Sequence, residues 1–136
     1  MRFRHADPSD ASGWHSALLV LSTDVGSFDL NQALRNTATH LNKSAPRPIG
    51  NNAYFDGAEA YERTLKYRFS FKSIAKEDMS SAFMLKQTEF LNEFVCTTPE
   101  MKVFVEHGVT LKYAYHDKRG KLIVIITVDP RTCDSE

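Results

Sequence analysis

His116 and Asp117 form the adjacent pair best suited to acid–base chemistry. An imidazole titrates near neutral pH, and a neighbouring carboxylate favours its charged form. The pair, however, lies where a strand pattern gives way to Asp117-Lys118-Arg119-Gly120, a turn sequence. Consecutive strand residues point to opposite faces. A solvated polar turn therefore explains the pair more simply than a proton relay. His107 precedes Gly108 at the end of a helical pattern, where it meets the negative end of the helix dipole. The other histidines, His5, His15 and His40, have no histidine or cysteine at ligand spacing, so no metal centre is expected. Asp56 and Glu59 lie three apart on a strand and face opposite sides, whereas paired carboxylate catalysis needs two that converge. Glu89 and Glu93, four apart, read as one solvated helix face. No phosphate loop, dinucleotide fingerprint, zinc-protease motif or nucleophile elbow occurs, and no cofactor is expected.

A binding chemistry is better supported. Lys66, Arg68 and Lys72 share the polar face of one alternating strand, and Lys112 and His116 share the corresponding face of another. If these strands are neighbours, their open face is basic and also carries Ile123 and Ile125. Apolar side chains among cations suit a protein partner with acidic groups, or a small anionic ligand. Single-stranded nucleic acid would need stacking aromatics on that face, and none is expected there. The competing explanation is ordinary surface lysine, which also guards sheets against aggregation.

Two cysteines remain, Cys96 and Cys133, at no redox or zinc spacing. They are either two thiols or a disulfide. Cys133 lies in the polar stretch Pro130-Arg131-Thr132-Cys133-Asp134, with little to pack against, which favours the bridge and with it an exported protein over a cytoplasmic one.

The elements that position these residues are legible in order. Residues 1–9 read as an arm, and Trp14, Leu18 and Leu21 recur at helical spacing. Residues 1–27 are thus expected to form an arm and short helix ahead of one domain over 28–136. Asp29 caps the next helix, with Gln32 placed as in a capping box, and Leu30, Ala33, Leu34, Thr37, Ala38 and Leu41 mark its apolar face. Pro46 and Pro48 end it. A strand over 52–61 and the alternating strand 65–72 form a hairpin about Glu62-Arg63, which lacks the usual Gly or Asn. Asp78 or Ser80 caps a third helix carrying Phe83, Phe90, Leu91 and Phe94. Thr97 or Thr98 with Pro99 restarts it, and Gly108 stops it. Strands over 109–116 and 122–128 close the chain. The second is apolar on both faces, so a central or covered strand is expected. The order predicts an α+β fold of two αββ units (αββ-ααββ), a four-stranded antiparallel sheet with helices on one face. Leu65-Lys66-Tyr67 and Leu111-Lys112-Tyr113 look alike but fall on different strands of their hairpins, so the match reads as shared strand chemistry. The aromatics Tyr67, Phe69, Phe71, Phe104, Tyr113 and Tyr115 read as core.

Composition bounds the rest. The 136 residues suit one domain, and 42% hydrophobic with 25% charged residues is ordinary for a globular chain. Seventeen basic and seventeen acidic side chains give zero formal charge, which disfavours a general nucleic-acid or anionic-membrane binder. No apolar run approaches the ~20 residues of a membrane helix. The start, with Arg2, Arg4 and an apolar Ala17–Leu21, is interrupted by Asp7, Pro8 and Asp10 and has no leader cleavage pattern.

Leu41-Asn42-Lys43-Ser44-Ala45-Pro46 is one distinctive stretch. Another is Val95-Cys96-Thr97-Thr98-Pro99-Glu100-Met101-Lys102, followed by Gly108 to Tyr113, Asp117 to Lys121, and Cys133. Over roughly residues 40–133 the chain resembles short bacterial proteins, some exported, of the kind carried in mobile integron gene cassettes. That resemblance implies a fold and a disulfide, and no active site. Three functions are therefore weighed: a binding module using the basic sheet face, a small enzyme with a His116/Asp117 site, and a self-associating structural protein.

Overall fold

The computed structural model describes residues 29–135. The expected arm and short helix over 1–27 lie outside the described residues. Helix α1 (Leu30–Asn42) begins at Asp29, whose carboxylate accepts the Gln32 backbone N–H at 3.2 Å. The Gln32 side chain does not reach back as a capping box would. It joins Asn36 and Arg35 instead. Leu30, Ala33, Leu34, Thr37, Ala38 and Leu41 are buried, the face that the helical spacing marks.

After a cis Ala45–Pro46 bond come β1 (Arg47–Ile49), β2 (Ala53–Tyr61) and β3 (Thr64–Phe71). Helix α2 (Ser81–Thr97) is capped by Ser80 rather than Asp78, with the Phe83 N–H donating to Ser80 Oγ at 3.1 Å. A 3-10 turn at Pro99–Met101 leads into α3 (Lys102–Glu106). Strands β4 (Thr110–His116) and β5 (Leu122–Val128) follow, then a 3-10 segment at Pro130–Ser135.

The α+β class and helix-covered sheet are as expected, but among the described residues the sheet has five strands in the order β1-β2-β3-β4-β5 and is mixed. The additional strand, β1, falls in the proline-flanked stretch. Three residues at a sheet edge tolerate Pro48, which needs no outward donor there. The central pair, β3 and β4, is parallel. Each hairpin is antiparallel within itself, but the helical connection through α2 and α3 returns the chain to the end of the sheet from which β3 set out.

That parallel pairing gives the two look-alike triplets a geometric meaning. Leu65 pairs with Leu111, Lys66 with Lys112 and Tyr67 with Tyr113. On the helix-covered face the same register stacks aromatic rings across strands, with Tyr67 and Tyr113 centroids 5.1 Å apart and Phe69 and Tyr115 5.4 Å apart. Phe55, Leu34, Leu91, Phe94, Phe104 and Val128 complete this core.

Among the described residues strand β5 is neither central nor covered on both faces, contrary to the reading of its composition. It is the sheet edge, with Leu122 and Ile125 43% and 39% exposed. Ile126 and Val128 point into the core, whereas among the described residues no helix covers the opposite face.

Candidate functional site: the open sheet face

The face opposite the helices is built by alternation and by two bulges. In β2 the register slips between Phe55 and Gly57, so Gly57 lies opposite Arg68 and Glu59 opposite Lys66. Gly57 has φ +141°, and a Cβ there would lie 2.7 Å from Arg68 Nη2. Glycine thus lets the Arg68 guanidinium lie across the strand. In β5 a second slip, opposite Tyr115 and His116, pairs Leu122 with His116 and leaves Ile123 as the extra residue.

Three rows result. Tyr54, Ser70, His116 and Leu122 form one; Gly57, Arg68, Ala114 and Ile125 the next; Glu59, Lys66, Lys112 and Thr127 the third. The strands named for the basic face are therefore neighbours, and Lys66, Arg68, Lys112, His116 and Ile125 come together. Lys72 follows the last residue of β3, with its Nζ 5.0 Å from the centre of the Tyr54 ring. Ile123 does not join them as an exposed side chain. The bulge turns it to pack partly against the core, and Leu122 takes the exposed place. The face also carries aromatics that were not expected on it. Tyr54 and Tyr61 are 36% and 40% exposed, because the bulge in β2 breaks simple alternation and hides their side from a sequence count.

Among the described residues the cations on this face are only partly balanced by carboxylates. Lys66 Nζ and Arg68 Nη1 approach opposite oxygens of Glu59 at 3.6 and 3.7 Å. Lys112, alongside Lys66, lies over the Tyr61 ring at 5.9 Å. One carboxylate thus serves two cations, and two further cations rest on rings.

The alternative site does not assemble. His116 Nδ1 lies 3.2 Å from the Phe69 carbonyl. Asp117 is buried and turned inward, accepting the backbone N–H groups of Lys76 at 2.9 Å and of Arg119 and Lys121 at 2.8 Å. Burial pushes its carboxyl up, but those three N–H groups and the Arg119 charge outweigh it and hold the pKa at about 2. Such a carboxylate is a latch between the last turn and the segment before α2, and it is spoken for as a proton acceptor. His107, at the C-terminal cap of α3, places its Nδ1 2.9 Å from Val103 O, the helix-end position expected of it. Among the described residues no group of three His, Cys, Asp or Glu could hold a metal ion.

Cys96 and Cys133 are joined in a disulfide, their Cα atoms 5.3 Å apart. It ties the segment after β5 to α2.

A family model described as a domain of unknown function, DUF8479, matches residues 30–124. A search of curated proteins finds no match. Among solved structures, the chain is similar to a candidate secreted protein of Pseudomonas aeruginosa at 19% identity, covering 82% of this chain and 98% of that one with a TM-score of 0.67. It is also similar to the type II secretion system pilotin AspS of Vibrio cholerae, at 17% identity over 76% of this chain and 92% of that one, TM-score 0.59. The Vibrio vulnificus type 2 secretion system pilotin EpsS matches at 15% identity over 79% and 94%, TM-score 0.62. At these identities the likeness establishes a shared fold.

Proposed function

Because the chain belongs to the DUF8479 family, a domain family whose description assigns no activity, we propose from its geometry that it is an exported, non-enzymatic binding module that holds an acidic protein partner on its open sheet face. The observation that carries this reading is the parallel register that sets Lys66 beside Lys112, in a face bordered by exposed Tyr54, Tyr61, Leu122 and Ile125. Adjacent like charges cost stability unless something offsets them. A partner supplying carboxylates would relieve that cost while covering the apolar border. A small anion fits less well, since the cations lie spread along two strands and the face offers exposed rings and aliphatic side chains as well.

Export is supported by the Cys96–Cys133 disulfide, which persists in oxidising compartments. The shared fold with two secretion-system pilotins and a candidate secreted protein agrees with it. Among the described residues no helix is long and apolar enough to cross a membrane. Photo-crosslinking in cells that export the chain tests the reading. A crosslinker at Tyr54, on the open face and away from β5, is expected to give one discrete protein adduct, and a crosslinker at exposed Lys102, on α3, none. Adducts at Lys102 with none at Tyr54 would move the binding surface to the helical side.

A further inference from the structure

The two edges of the sheet are treated differently. At one end β1 is three residues long, with Pro48 in its middle and Arg47 at its start, which blunts it against further pairing. At the other end β5 runs seven residues, Leu-Ile-Val-Ile-Ile-Thr-Val, with no charge and no proline. Its outward backbone groups can be assigned. The Thr110 N–H donates to Arg63 O, so even-numbered residues of β4 face β3 and odd-numbered ones face β5. The hydrogen-bonded pairs across β4 and β5 are then Leu111–Val128, Tyr113–Ile126 and Tyr115–Val124. Ile125 and Thr127 therefore direct their N–H and C=O groups away from the sheet, and among the described residues no strand lies beyond them.

The geometry points to a second copy of this chain as the occupant of that edge, paired antiparallel through Val124–Val128 about a two-fold axis at Ile126. Three features select a copy of itself. The stretch is uncharged, so the pairing buries no like-charge contact. The two-fold register places Ile125 opposite Thr127 of the other copy, which matches outward backbone groups with outward backbone groups and exchanges about four hydrogen bonds. On the core side, Val124 meets Val128 of the other copy, so apolar residues meet apolar residues. The bulge at Ile123 and the Asp129-Pro130 stop bound the paired stretch at its two ends. The product is a ten-stranded sheet whose open faces are continuous, presenting two sets of Lys66, Lys112 and Tyr61. This inference stands apart from the reading of the face: pairing engages the edge and leaves the face open.

Sedimentation velocity and light scattering on the full chain, from micromolar to submillimolar concentration, test it. The expected result is a species of twice the 15.4 kDa chain mass that dissociates on dilution. Thr127→Pro removes only an outward N–H, and Ile125→Lys puts a charge on the edge. Each is expected to abolish the dimer while circular dichroism stays that of the wild type. A wild-type chain that remains monomeric throughout the range would overturn the inference and leave the edge to a strand from another protein. A dimer that survives both substitutions would overturn it equally, by placing the contact elsewhere.

Discussion

Asp117 shows how much one carboxylate can organise. Three backbone N–H groups and Arg119 converge on it, and Arg119 in turn reaches Glu77 at 2.8 Å. Asp117→Asn should keep the fold but lower Tm at pH 7 by on the order of 10 °C, read by thermal unfolding. The sign with pH follows from the carboxyl's depressed value. Its stabilising effect is present above the unfolded pKa, near 3.8, and is lost as pH falls through the folded value of about 2. The gap in Tm between wild type and variant should therefore narrow on acidification from pH 5 towards pH 2. A constant gap would contradict the latch. Asn42 does similar work at the first bulge, where its side chain accepts the Ala58 N–H at 2.7 Å and donates to the Ala58 carbonyl at 2.9 Å. Asn42→Ala strands two backbone groups of a buried residue and should cost about 2 kcal/mol in denaturant unfolding. Little in the sequence marks either role. Asp117 reads as half of a His–Asp pair, and its partners come from residue 76 as well as from its own turn. Asn42 carries no local signal of its own, and only the docking of α1 on β2 gives it the Ala58 backbone.

At the scale of elements, what alternation and capping specify was legible, and what depends on long-range pairing was not. The apolar face of α1, the alternating residues of β3 and β4, and the stops at Gly108 and Gly120 follow from local chemistry, and the glycines have φ +70° and +84°. The direction of β4 against β3 depends on a 38-residue connection and leaves no local trace. The Glu62-Arg63 turn looks too poor in glycine for a hairpin, yet both residues take positive φ, 47° and 60°. Surrounding contacts hold them there: the Asn31 side chain accepts the Arg63 N–H at 2.8 Å, and the Arg63 guanidinium donates to His107 O at 2.8 Å. The disulfide is also an element-scale device, since it closes a span of 37 residues between α2 and the segment after β5. Cys96→Ser with Cys133→Ser should destabilise the chain by about 3–4 kcal/mol, the loop-closure value for that length. A thiol count on denatured, unreduced protein made in an oxidising compartment should give none, and two would contradict the bridge.

For the whole molecule, the division of the sheet into two unlike faces is the central fact. One face is dry, aromatic and sealed by helices. The other carries Lys66 and Arg68 on the Glu59 carboxylate and Lys72 and Lys112 over tyrosine rings, with aliphatic side chains at its border. The sequence named most of the second face because alternation along β3 and β4 is strict. It misplaced Ile123 and omitted Tyr54, Tyr61 and Leu122, because a one-residue bulge exchanges the faces beyond it. The balanced overall charge hides this arrangement, since the cations are concentrated by folding rather than by composition. Charge reversal on the face, read through the adduct formed at Tyr54, tests the account most directly. With Lys66→Glu and Lys112→Glu together, adduct yield should fall at least tenfold, and in the wild type it should decline steadily as salt is raised. Undiminished crosslinking in the double variant, at every salt concentration, would contradict the claim that this face selects an acidic partner.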